Sequence, residues 1–409
     1  MNHQILGDMV EIKHGFAFSS QYFKPNGPYI LLTPGNFYEE GGYKVRSEQK
    51  HYDGPVPAAF VLKPGDLLVA MTEQGEGLLG SAAFVPDGKP CLHNQRLGLI
   101  MPKPGVAVDL RYVYYVLNWQ SVRQQIRATS SGAKIRHTSP SRICAVNIPR
   151  HPFETQRRIA EILGAYDDLI EVNRRRIAML EEMARGLFTE WFTRLRFPGH
   201  EDVIIEDTPD GPLPKGWHYA PLDAITEVAF GYAFKSKAFS TVPEGARVVR
   251  IRDVPDGTTK TWTTEPFDAR YGVVNGDILV GMDGIFHMAM WVGGDAALNQ
   301  RVTRLRPING YSKGWVFLSV YPHIKFFEAT ISGTTVAHLG AKHLSTIRVL
   351  VADPVTQAKA DKFFAPIDKE LVNLRVENLR LATARDLLLP RLISGQLSVA
   401  QARRELKAA

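Results

Sequence analysis

The sequence predicts a mixed α/β (α+β) protein: two similar globular domains, each followed by one long helix. Three observations carry this. Four motifs recur in the same order about 200 residues apart. Two heptad seams of equal length follow the two sets of motifs. Within each copy, short β-branched and apolar runs alternate with Gly, Pro and Asn turns, as strands do.

The repeat comes first because the rest depends on it. GFAFSSQYF (Gly15–Phe23) matches GYAFKSKAF (Gly231–Phe239) at an offset of 216. GDLLVAM (Gly65–Met71) matches GDILVGM (Gly276–Met282) at 211, and Asn94-Gln95-Arg96 matches Asn299-Gln300-Arg301 at 205. SGAKIRH (Ser131–His137) matches SGTTVAH (Ser332–His338) at 201. The offset shrinks between motifs, so the second copy is shorter there, and loops must lie at those gaps. DLLVAM, SAAFV, ARVVRIRDV and AMWVG read as strands; Arg111–Thr129 and Gly314–Thr330 read as helices.

Beyond the last motif the offset holds at 201. Leu163, Tyr166, Ile170, Asn173, Ile177, Leu180, Ala184, Leu187 and Trp191 are spaced alternately 3 and 4. Their counterparts are Phe364, Ile367, Leu371, Leu374, Asn378, Leu381, Arg385, Leu388 and Leu392. This is the seam of a coiled coil or bundle helix. A helix from about Glu154 to Trp191 would span roughly 57 Å. Asn173 and Asn378 are mid-seam positions that can fix register; the plain alternative is a solvated flank.

The segments follow: 1–150 first domain, 151–196 first helical region, 197–216 linker, 217–350 second domain, 351–409 second helical region. Phe197–Gly216 reads as a linker from four prolines, three glycines and an acidic bias.

Composition narrows the function classes. The chain has 409 residues, 44% apolar and 22% charged, with net charge +7. Disorder, collagen and a disulfide scaffold are excluded as descriptions of the whole. No apolar run suits a membrane helix, and the N-terminus lacks a signal-peptide layout. Cys91 and Cys144 are too few for a disulfide framework, so the cytoplasm is the expected compartment and no membrane partner is expected. Residues 1–150 hold 16 basic and 11 acidic groups, residues 197–350 hold 15 and 16. Any nucleic-acid binding must therefore use a folded, patterned surface.

Catalytic motifs are decoys. Gly75-Glu76-Gly77-Leu78-Leu79-Gly80 fits G-x-G-x-x-G, but a strand rather than the required helix follows it. Asp66 with Asp87-Gly88-Lys89 loosely imitates a nuclease cluster, yet the second copy keeps only Asp277, so both aspartates read as turn residues. The histidines lack metal-ligand spacing; His137 and His338 read as structural, with a phosphate contact as the alternative. No catalytic residue and no metal site is expected. A duplicated, motif-poor chain points to a binder or scaffold. Pseudo-symmetric binders suit duplex DNA, whose groove faces recur about every 34–36 Å.

These residues resemble one family, the specificity (S) subunits of type I restriction–modification systems. The resemblance rests on LGDMVEIKHGFAF and LDAITEVAFGYAF, PGDLLVAM and NGDILVGM, the NQR and SG…H elements, and LLLPRLISGQLSV. Pro152–Trp217 is its most specific stretch. It implies two target-recognition domains, each reading half of a bipartite, asymmetric double-stranded DNA site. It implies helices paired as an antiparallel coiled coil with pseudo-two-fold symmetry. It implies two methyltransferase (M) subunits docked on them, joined by restriction (R) subunits. No cofactor is then expected in this chain; S-adenosylmethionine, ATP and Mg²⁺ would sit on the partners. The first copy lacks the Gly216-Trp217 lead, so its first strand is expected to be shorter. Arg385 stands where the first copy has Ala184.

Candidate DNA contacts are Lys13, Lys24, Lys134 and Arg136 in the first copy and Lys235, Lys237, Arg250 and Arg252 in the second; a solvated surface charge is the alternative for each. Phe16, Phe18, Tyr232 and Phe234 read as core. Trp191 and Phe192, bulky at a helix end, are candidates for partner binding or for domain core. Other readings are a type IIB-like specificity subunit, a self-contained nuclease or methyltransferase with a cryptic site, and a coiled-coil scaffold that never touches DNA.

Overall fold

In a computed structural model, which describes residues 2–46, 48–73, 77–331 and 337–408, two helices dominate the chain. The helices are α1 (Leu110–Asn118), α2 (Gln120–Ala128), α3 (Pro140–Cys144), α4 (Phe153–Phe188), α5 (Leu222–Ile225), α6 (Lys313–Thr330), α7 (Ala341–Ser345), α8 (Pro354–Ile393) and α9 (Val399–Ala408). The long ones, α4 and α8, are the two seam segments. They run 36 and 40 residues without a break, and α4 closes in a π-helical turn at Thr189–Thr193.

The chain folds as two compact units that differ from the linear segments. One comprises Met1–Asp168 and Leu381–Ala409, the other Leu169–Arg380. Each unit is one globular domain plus a part of both long helices. The physical reason is burial. In the first unit, Tyr112, Val116, Ile126 and Ile148 share a core with Ile159 and Leu163 of α4 and with Leu389, Leu392 and Ile393 of α8. In the second, Ile278, Phe286 and Trp315 share a core with Ala184 of α4, with Trp191 and Phe192, and with Ala360 and Phe364 of α8. The helix ends therefore seat the domains.

Both units pair the helices antiparallel. In the first, His151 Nε2 donates to the Ile393 carbonyl at 2.9 Å, and Asp167 meets Arg385 at 2.5 Å. In the second, Asn173 Nδ2 donates to Glu377 at 3.2 Å, and Trp191 packs edge-on against Phe363. None of the named seam residues is exposed. Asn173 is buried but pairs with Glu377, while Asn378 Oδ1 has no hydrogen-bond partner among the described residues.

The two domains share one topology. The first has a five-stranded sheet ordered Phe23–Lys24, His51–Tyr52, Tyr29–Leu32, Cys91–His93, Val61–Leu62. The second repeats it as Phe239–Ser240, Trp262–Thr263, Ala246–Val249, Ala296–Leu298, Gly272–Val273. A four-stranded antiparallel sheet accompanies each: Val10–His14, Leu97–Pro102, Leu67–Ala70, Ala82–Phe84, and Thr226–Phe230, Val302–Pro307, Ile278–Gly281, Met288–Met290. The opening strand His3–Ile5 is indeed shorter than its counterpart His218–Pro221.

The shared glycine of the first motif has a steric cause. A Cβ on Gly15 would lie 2.0 Å from the Asn94 carbonyl, and one on Gly231 would lie 2.0 Å from that of Asn299. Only glycine lets the two backbones meet. Gly15→Ala is therefore expected to cost about 1–3 kcal/mol through forced backbone shifts, readable in the urea midpoint of the full chain.

Two expectations need correction. Phe197–Gly216 is no bare linker: Ile205–Thr208 and Gly211–Pro214 form a hairpin, turning at Gly211 with φ +103°. Phe197, Leu213 and Trp217 are buried in the second unit's core. Arg111–Thr129 is two helices, broken where Trp119 adopts an extended backbone. Gly314–Thr330 is one helix despite Pro322.

Candidate nucleic-acid interface

Parallel pairing sets the site. Tyr29–Leu32 lies parallel to Cys91–His93, with Leu32 opposite His93. Their C-terminal ends therefore emerge together, at Thr33 and Asn94. The second domain does the same: Val249 is opposite Leu298, and Arg250 and Asn299 follow. The first shared motif runs alongside. Phe16 N–H donates to the His93 carbonyl and Gln95 N–H to the Phe16 carbonyl, both at 2.9 Å. Tyr232 N–H donates to the Leu298 carbonyl at 2.8 Å.

The fourth motif closes the edge from the other side. Met71 N–H donates to the Arg96 carbonyl, and Thr138 N–H donates to that of Met71. Met282 N–H to Arg301 and Leu339 N–H to Met282 reproduce these bonds. The four repeated motifs thus converge on one edge of the first domain, and the described end of the fourth motif, Ala337–His338, joins the other three at the matching edge of the second.

In the first domain this edge is a basic cleft. Thr33 N–H donates to Asn36 Oδ1 at 3.0 Å, Asn36 donates to Gln49, and Gln49 donates to Tyr43. Lys44 N–H donates to the Asn36 carbonyl at 2.7 Å. These bonds fold residues 41–46 and 48–50 over the turn and bring Lys44, Arg46 and Lys50 to Arg96. A cleft of about 600 Å³ lies among these four cations, Thr33 and Thr72. A second, of about 250 Å³, is lined by Thr33, Lys50 and Asn94–Arg96. Lys44 rests over the Tyr38 ring and Lys50 over Phe23, which steadies both ammonium groups. Sequence reading missed Lys44, Arg46, Lys50 and Arg96. The signal was the extra length of the first copy between its first and second motifs.

The sequence candidates scatter more widely. Lys13 Nζ donates to the Ala59 carbonyl at 2.6 Å and sits over Phe60. Arg136 bonds Ser130 at 3.2 Å. Lys24 and Lys134 are exposed, as are Lys235 and Lys237 beside their sheet edge. Arg250 is held by Asp253 at 3.2 Å, while Arg252 on the same turn is exposed. Arg250 and Arg252 correspond in the fold to Thr33 and Gly35, so these two do belong to the shared edge. Phe18 and Phe234 are core; Phe16 is partly exposed.

Trp191 and Phe192 are corrected as partner contacts: they are 5% and 6% exposed, with Phe192 packed among Trp217 and Trp315. The apolar surface of the second unit's part of α4 lies instead at Leu169, Val172, Met179 and Met183. The last two are 56% and 61% exposed. Their spacing places them on one helical face outside the seam.

The decoy motifs resolve as turns. Asp66 caps Lys63 N–H at 2.8 Å and Asp277 caps Val274 N–H at 2.9 Å. Gly75 and Glu76 lie outside the described residues, as do Ser332–Val336 of the fourth motif; after Gly80 comes the strand Ala82–Phe84. Burial pushes the Cys91 thiol up to about 11 and His93 down to about 4, so both are uncharged core groups near neutrality. Among the described residues no cluster of His, Cys, Asp and Glu could hold a metal, and no helix is long and apolar enough to cross a membrane.

Comparison with known proteins agrees with this organisation. Residues 4–182 match the family described as type I restriction modification DNA specificity domain. The EcoBI specificity subunit of Escherichia coli is 28% identical over 211 residues, covering 50% of this chain and 44% of that protein. The MjaIX specificity subunit of Methanocaldococcus jannaschii is 23% identical, covering 76% and 74%. The chain thus spans less than half the length of the first of these relatives and about three quarters of the second. The crystal structure of the S subunit of a type I restriction-modification system from M. genitalium has a TM-score of 0.55 at 17% identity, covering 96% of both chains; it shares the fold.

Proposed function

Because the chain belongs to the type I restriction–modification specificity family, we propose that it is the DNA-recognition subunit of such a complex, reading a bipartite, asymmetric duplex with its two domains. The observation that carries this is the convergence of the same motifs on one edge of both domains, with different side chains presented at each. Arg250 and Arg252 in one copy stand where Thr33 and Gly35 stand in the other. Such a pair of edges would meet two different base sequences. Lysines and arginines would hold phosphates, and variable loop side chains would meet base edges.

The chemistry is assigned to partners: methyltransferase subunits carrying S-adenosylmethionine, and restriction subunits using ATP and Mg²⁺. Leu169, Val172, Met179 and Met183 offer an apolar helix face for a methyltransferase subunit, the kind of contact that methionines favour. The full chain alone is expected to show no methyl transfer, and to support it once the methyltransferase subunits are added. Met179→Glu with Met183→Glu is expected to abolish co-purification and methylation together. Turnover by the chain alone would favour the self-contained enzyme, and binding of the partner by the double variant would move the docking face elsewhere.

A further inference from the structure

The two recognition edges are built alike but are electrically unequal. Thr72 and Asp283 are equivalent positions: each follows the shared strand, and each pairs with the shared histidine across a β-bridge. In the first domain Thr72 Oγ1 lies 3.3 Å from His137 Nδ1. In the second the carboxylate of Asp283 lies 2.6 Å from His338 Nδ1 and 3.4 Å from Arg301 Nε. Arg301 is the partner of Arg96 in the repeat. Its guanidinium is claimed by Asp283, whereas Arg96 forms no ion pair among the described residues.

The neighbouring charges follow the same division. Glu73, next to Thr72, is turned inward: its carboxylate accepts from Gly77 and Leu79 N–H and pairs with Arg127. It does not neutralise the cleft. Lys44, Arg46 and Lys50 have no ion pair among the described residues. Across the repeat, Arg250 is tied to Asp253 and only Arg252 of that turn is left exposed.

We infer that the first-domain cleft of Lys44, Arg46, Lys50 and Arg96 is a phosphodiester clamp that supplies most of the backbone grip, while Asp283 holds its second-domain counterpart Arg301 out of the DNA. This rests on the reading of the chain as a DNA-binding specificity subunit. Cations released from no internal partner can neutralise phosphates without first breaking a pair. Each phosphate so neutralised adds about 0.9 to the slope of log affinity against log salt.

The test measures that slope for the full chain, with whatever subunits co-purify, on a random-sequence duplex and on its target. Arg96→Ala is expected to lower the slope by about 1 and to weaken both duplexes alike. Arg96→Lys is expected to restore the slope. Arg301→Ala is expected to change little, and Asp283→Thr to steepen the slope by about 1. An unchanged slope in Arg96→Ala, or a loss confined to one base pair of the target, overturns the clamp. Equal losses for Arg301→Ala and Arg96→Ala overturn the inequality. If the parent chain binds duplex with no salt dependence, the DNA-binding reading itself falls, and the clamp with it.

Discussion

Arg385→Ala is expected to destabilise the first unit by about 3 kcal/mol, because it strands a mostly buried carboxylate. Arg385 meets Asp167 at 2.5 Å, and both side chains are largely covered. Burial works against the Arg385 charge, but Asp167 and Asp386 more than compensate and hold its pKa above the ordinary value. The loss stays at the low end for a broken buried pair, since the Tyr115 hydroxyl would still donate to Asp167. Asp167→Asn together with Arg385→Ala should recover most of the loss, read as urea midpoints.

The repeat supplies the control. Asp368 is the counterpart of Asp167, and the counterpart of Arg385 is Ala184, so no guanidinium is available to Asp368 at the matching position. Burial raises the Asp368 carboxyl from 3.8 to about 6, against the opposing donation from Gly314 N–H. Its Oδ1 has no hydrogen-bond partner among the described residues. The folded value lies above the unfolded one, so the native state takes up this proton first as pH falls. The penalty is fully present above pH 6 and is relieved between about pH 6 and 4, by up to about 3 kcal/mol. Asp368→Asn, whose amide oxygen can still accept from Gly314, should flatten the second unit's stability across that window. A parent and variant with the same pH dependence would show that Asp368 does not set it.

Replacing residues 1–150 by another domain of this family is expected to change one half of the recognised site and leave the other intact. The gain in the altered half should be complete, since a good bidentate base contact is worth about 1–3 kcal/mol and several change at once. The compact units qualify how the exchange must be made. The imported domain has to present apolar side chains that fit Ile159 and Leu163 of α4 and Leu389, Leu392 and Ile393 of α8. A graft that ignores those five residues exposes or overpacks a core, and its failure would report folding rather than recognition. A folded graft that alters both halves would contradict separate reading by the two domains.

Much of this was legible in the sequence, and the reasons differ by element. The heptad seams read correctly because a long helix repeats its burial every few residues. The first motif read correctly because it marks a place where two backbones meet, at Gly15 and Gly231. The 197–216 hairpin was missed because its prolines, glycines and acids resemble a linker, while its anchor is three apolar side chains spread over 21 residues: Phe197, Leu213 and Trp217. The break at Trp119 carries no Gly or Pro to announce it. The cleft cations were missed for a tertiary reason. Lys44, Arg46 and Lys50 belong to a connection that is shorter in the second copy, and tertiary hydrogen bonds such as Asn36–Gln49 and Gln49–Tyr43 bring it to Arg96. Trp191 was a fair candidate for either role, and its neighbours settled it in the core.

The central claim is that two unlike edges on a duplicated fold read two unlike half-sites. Methylome sequencing of a host carrying this chain with the methyltransferase subunits proposed as its partners tests it most directly. The expected result is one asymmetric motif of two short specific blocks separated by a fixed run of unspecified bases. A single continuous motif, a palindrome, or no added methylation would contradict the account.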